Sequence, residues 1–136
     1  MNYIERCFYS YRENINKLNQ LILISFSVIS VHGHNYNGGG SKGITDPVYN
    51  TYIYKEDITR KVKRIMRKIR PVERLERELQ HSKDIRHGQM LKVLRGHYFN
   101  KISWNILADI EGLNIWTIYK RRKELLKMAR VCFYAK

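Results

Sequence analysis

From Asn114 to Lys123 the chain reads NIWTIYKRRK, a run in which aromatic and apolar side chains give way to four consecutive cations. On a helix, Ile118, Leu125 and Leu126 face inward, which leaves Ile115, Trp116, Tyr119, Lys120, Arg122 and Lys123 outward or sideways. The chemistry these offer is nucleic-acid contact. The planar guanidinium of Arg121 can bond guanine O6 and N7 together, while Lys120 and Lys123 suit phosphates. Ile115 or Trp116 can pack on thymine methyl groups, and for Trp116 folding back onto the preceding helix is an equal alternative. Asn114 is placed to cap the helix, accepting from the free amide of Trp116 or Thr117.

Other chemistries find less in the sequence. Cys7 and Cys132 lie far apart among apolar neighbours and form no CxxC pair, which predicts packed free thiols. The histidines at 32, 34, 81, 87 and 97 lack metal-ligand spacing, and no metal or cofactor is expected. Gly38, Gly39, Gly40, Ser41 and Lys42 lack the full phosphate-loop spacing and read as a flexible turn. No nucleophile or acid–base constellation suggests an enzyme.

Two short helices must position the run. Trp104 to Lys123 carries a helix-turn-helix pattern: Leu107 and Ala108, then Gly112, Leu113 and Ile118. The Ala is small where the second helix crosses. The Gly takes the left-handed conformation of a sharp turn, and the large apolar residues fill the angle between helices. In proteins of this shape the second helix enters the DNA major groove. Ser103 caps the first helix, and with Lys101 it joins the expected DNA-contacting set. A further helix, capped by Ser82 or Asp84, precedes them and presents Met90, Leu91, Leu94 and Tyr98. The C-terminal half therefore reads as helices over about 84–99, 104–111 and 114–134, an all-α domain spanning 83–136.

Composition agrees. Lys plus Arg is 26 against 12 for Asp plus Glu, a net charge of +14, which drives a small chain toward polyanions by counterion release. Charge alone also suits a ribosome-associated or membrane-surface protein. The uncharged run Leu21 to Val31 falls short of the ~20 residues a bilayer span needs, and the charged residues before it do not suit a signal peptide. A cytoplasmic protein without membrane partners is expected.

The first part, 1–31, repeats apolar residues at Ile4, Phe8, Tyr11, Ile15, Leu18, Ile22 and Ile29, a long amphipathic helix. Its second half is apolar on nearly every face and needs cover, from its own chain or from a second copy. Residues 32–53 read as a Gly-rich loop. Over 54–82, Ile58, Val62, Ile65, Ile69, Val72, Leu75 and Leu79 mark a charged helix that is kinked, or restarted, at Pro71. Arg60 to Arg70 holds seven basic residues in eleven, and Arg60, Lys63, Arg64, Arg67 and Lys68 are expected to contact phosphates without sequence preference. Beyond Pro71, alternating Glu and Arg suggest a solvated helix laced with ion pairs.

The C-terminal order resembles region four of bacterial sigma factors. The matching residues are Leu91, Leu94, Arg95, Tyr98 and Phe99, then Ser103, Leu107, Ala108, Gly112, Leu113, Asn114, Thr117, Ile118 and Arg121, with Leu125 and Leu126 closing the core. The likeness covers Ile85 to Phe133. Asn114 in place of a Ser cap, Glu111 in place of an apolar residue, and Trp116 are departures. The whole layout, with Thr45-Asp46-Pro47 after the Gly-rich loop, is similar to small phage transcriptional regulators of the ArpU and RinA type. That resemblance implies a late-gene activator in a bacterial host cell, binding double-stranded promoter DNA beside RNA polymerase that carries a host sigma factor. The alternatives are a minimal sigma-like factor on core polymerase, and a packaging protein of the small-terminase kind, which would form rings through the N-terminal helix.

Overall fold

The computed structural model describes residues 1–34 and 47–134, with side chains over 1–26 and 55–134, and every regular element in them is helical. The elements are α1 (Tyr3–Tyr9), α2 (Tyr11–His34), α3 (Pro47–His81), α4 (Ile85–Val93), which runs on into a π-helical turn (Leu94–Phe99), α5 (Trp104–Glu111) and α6 (Ile115–Tyr134). Among the described residues no helix is long and apolar enough to cross a membrane.

Several boundaries differ from those the sequence suggests. The single helix expected over 1–31 is interrupted at Ser10, whose amide and hydroxyl both bond the carbonyl of Arg6. The flanks of the expected Gly-rich loop at 32–53 are helical instead, since α2 runs to His34 and α3 begins at Pro47. Pro47 opens α3 because its missing N–H would be unsatisfied at a helix start in any case. The glycines at 38–40 and the Thr45-Asp46 pair lie outside the described residues. At Pro71 no new helix starts. The chain stays helical from Pro47 to His81, with Pro71 inside the helix and unable to donate a backbone bond there.

The chain forms two compact units. One comprises Ile15–Arg67, the other Met1–Asn14 with Lys68–Lys136. In the first, Ile58 is buried and the α2 and α3 stretches share a shallow groove of ≈ 320 Å³ around Leu21, Ile24 and Ile65, rimmed by Lys17, Lys61 and Arg64. Ile22, Leu23 and Phe26 of α2 are exposed among the described residues.

The second unit is larger than the domain expected over 83–136. Its core joins Ile4, Cys7 and Phe8 of α1 and Val72, Leu75 and Leu79 of α3 to Met90, Val93, Leu94, Tyr98, Phe99, Leu107, Ala108, Ile118, Leu125, Ala129 and Cys132. The two thiols are free and buried, as expected. Burial pushes the Cys7 thiol up, though contact with Tyr3 and nearby Lys68 oppose the shift. The π-helical turn is closed by the Asn100 amide on the Arg95 carbonyl at 2.9 Å, and it buries both Tyr98 and Phe99. Gly96 lies in that turn because α5 comes close. A Cβ there would sit 2.6 Å from Leu107 Cδ1.

Candidate nucleic-acid interface

The turn between α5 and α6 is built from backbone chemistry. Gly112 sits at φ 66°, in the left-handed region. Its amide bonds the Asp109 carbonyl at 3.2 Å, and the amide of Leu113 reaches the Ala108 carbonyl at 3.0 Å. These paired bonds satisfy carbonyls that the end of α5 leaves open. Both expected caps form: Ser103 Oγ accepts from the Ile106 amide at 3.4 Å, and Asn114 Oδ1 accepts from the Trp116 amide at 2.9 Å. Asp84, not Ser82, caps α4, accepting from the Arg86 amide. Glu111, at the end of α5, pairs with Lys92 of α4 at 2.9 Å.

The exposed side of α6 carries Trp116, Lys120, Lys123, Lys127 and Arg130 at steps of four and three residues, with Tyr119 beside Lys120. At 1.5 Å per residue the stripe is about 21 Å long. Trp116 is 74 % exposed, which sets aside the alternative in which it folds back onto α5. Its ring lies 6.1 Å from that of Tyr119 at an interplanar angle of 73°, forming an apolar corner at the start of the helix. Ile115 and Thr117 are half-buried at its edges. Lys127 and Arg130 continue the stripe beyond the helix-turn-helix pattern; no motif marks them, although the 3-4 spacing from Trp116 predicts them.

Three expected DNA contacts are engaged elsewhere. Arg121 has a side chain only 12 % exposed; its Nε donates to Gln89 Oε1 at 2.6 Å and its Nη1 to both Glu124 oxygens at 3.1 and 3.2 Å. Read as a helix surface, Arg121 falls near the boundary between faces, and the acceptors on α4 and one turn along α6 draw it inward. Arg122 donates to Glu5 Oε2 of α1 at 3.0 Å and lies 5.9 Å over the Trp104 ring. Lys101, itself at φ 61°, donates to the Tyr9 carbonyl and sits 4.8 Å over the Tyr9 ring.

Glu5 is therefore the hinge of a buried polar cluster. It is 8 % exposed and also accepts from the Tyr98 hydroxyl at 2.9 Å. Burial, reinforced by Glu5, holds the Tyr98 phenol far above its ordinary range, although Arg122 opposes the shift. For Arg122, burial works against the charge, yet the bond to Glu5 and the nearby Tyr98 hydroxyl raise its pKa overall. Beside them, His97 Nδ1 lies 2.7 Å from the Ile102 carbonyl and its Nε2 2.6 Å from the Tyr9 hydroxyl. The carbonyl can only accept, so Nδ1 carries the hydrogen and Nε2 accepts from Tyr9. The ring stacks on Trp104, centroids 3.5 Å apart. Through these contacts α1 fixes the π-helical turn and α6 together.

On α3, Arg60, Lys63, Arg64 and Arg67 are exposed and Lys68 is half-buried. In that run the ion pair among the described residues is Lys61 with Asp57 at 3.2 Å.

Compared with protein-family models, curated proteins and solved structures, the chain matches none.

Proposed function

We propose that the protein is a duplex-DNA-binding transcriptional regulator that lays the outer face of α6 in the major groove. The observation that carries this reading is the stripe from Trp116 to Arg130, exposed immediately after a tight turn from α5. Within α6 the single carboxylate, Glu124, is bonded to Arg121, so Lys120, Lys123, Lys127 and Arg130 are left without an ion pair on their own helix. Such a face attracts phosphates and releases counterions. An aromatic corner at its start supplies contact with base edges.

The resemblance to sigma region four and to phage regulators of the ArpU and RinA type extends the proposal to a promoter site and to RNA polymerase, as an activator of phage or prophage late genes. The test has two arms. Full-length protein is titrated against random and selected duplexes over a salt series. Promoter templates are then transcribed with core polymerase and with holoenzyme. A DNA-binding activator gives steep salt dependence, enrichment of one sequence, and stimulation only with holoenzyme. Transcripts from core polymerase plus this protein would make it a minimal sigma factor, and salt-independent or absent duplex binding would remove the proposal.

A further inference from the structure

Only a few side chains on the first turns of α6 are able to meet a base edge, and their chemistry is one-sided. Guanine is read most often at O6 and N7 by arginine or lysine, and only arginine offers a planar fork that spans both atoms. The two arginines in this part of the helix are engaged within the protein: Arg121 with Gln89 and Glu124, Arg122 with Glu5. Turning either toward DNA would leave a carboxylate without its partner, and Glu5 is buried. What remains outward is the corner of Trp116 and Tyr119, with Lys120, Lys123 and the cap Asn114 beside it; an Asn amide suits adenine, the partner of thymine. Lys120 is a flexible point charge without the fork of an arginine. In the major groove the apolar feature offered by a base pair is the thymine C5-methyl group.

We infer that the Trp116–Tyr119 corner selects thymine methyl groups, so that the preferred duplex is A·T-rich and no arginine fork reads its guanines. This rests on the reading of α6 as a duplex-DNA surface. The cations at 120, 123, 127 and 130 flank the corner toward the helix's C-terminal end, where they suit the phosphates on either side of the groove. The division of labour is then simple: lysines hold the backbone and aromatics choose the base.

Uracil tests this directly, because it pairs as thymine does and lacks only the methyl group. The full chain is used to select duplexes from a randomised pool. Each thymine of the winning site is then replaced by uracil, and binding is followed by anisotropy. A·T-rich winners are expected, with about fourfold weaker binding for each contacted methyl removed and no change in salt slope. Trp116→Ala, at an exposed position, should bind thymine and uracil duplexes alike while keeping the slope of the unaltered protein. Guanine-rich winners, or equal binding of the two duplexes, would overturn the inference while leaving the duplex surface intact. Tighter binding of single strands would make the corner a stacking platform and overturn it as well. Absence of duplex binding would remove the underlying reading and this inference together.

Discussion

The basic run of α6 and that of α3 look alike on paper, yet their cations are employed differently. On α6, two of the four consecutive cations are absorbed by the protein: Arg121 by α4 and its own helix, Arg122 by a carboxylate 117 residues away. On α3, Arg60, Lys63, Arg64 and Arg67 stand exposed, and the pairing seen in the run is Lys61 with Asp57. Charge density in a sequence thus measures supply, not availability. What decides availability is whether a buried or nearby acceptor claims the cation first, and arginine, with its planar fork, is claimed more readily than lysine.

The sharpest way to break the contrast is to truncate a claimed cation. Arg122→Ala leaves Glu5 buried with the Tyr98 hydroxyl as its remaining partner, and should cost about 3 kcal/mol in a urea denaturation. Adding Glu5→Gln should recover part of that deficit, because the penalty is an unpaired charge more than a packing defect. A cost below ~0.5 kcal/mol would place Arg122 among the free cations.

The second measurement exchanges Arg60, Lys63 and Arg67 for Gln together. Stability should hold within about 0.5 kcal/mol, because these side chains are exposed. On the proposed DNA-binding reading, the slope of log affinity against log salt should fall by up to ~3, one for each phosphate no longer neutralised. Lys123→Ala on α6 should lower it by about one. An unchanged slope in the triple variant would make the α3 run a merely solvated face.

The parts of this architecture that obey local rules are legible in the residues alone. Ser103 and Asn114 cap because their side chains reach amides two or three residues on, and Gly112 turns because it has no Cβ to clash. The apolar seam of α3 at Ile69, Val72, Leu75 and Leu79 is buried as its spacing predicts. What the residues do not disclose are long-range pairings. Nothing near Glu5 signals Arg122 or Tyr98, so in the sequence α1 looks like part of a separate helix and Arg121 and Arg122 like free contacts. The break at Ser10 is equally hidden, because the apolar period runs across it unchanged. Lys101 misleads for a related reason: its position beside the turn suggests DNA, while the Tyr9 carbonyl takes its ammonium.

The smallest expected effect concerns the histidine that ties α1 to the π-helical turn. His97 is held below its ordinary pKa, first by burial and further by nearby Arg122 and Lys101, despite the opposing bond to the Ile102 carbonyl and the charge of Glu5. The folded protein therefore favours the neutral ring. Above the ordinary value of about 6.5, folded and unfolded chains both hold His97 neutral, and its contribution to stability is complete. As pH falls below that value the unfolded chain takes up the proton first, so stability declines until the folded ring titrates too. The urea midpoint of the native protein should accordingly drop between about pH 7 and pH 5.5, a window above the range where carboxylates titrate. His97→Gln should be less stable at neutral pH but show a flatter profile across the same window. If both proteins decline in parallel, the pH sensitivity belongs to other groups, and the link between Tyr9, His97 and Ile102 is structural without being a proton-sensitive clasp.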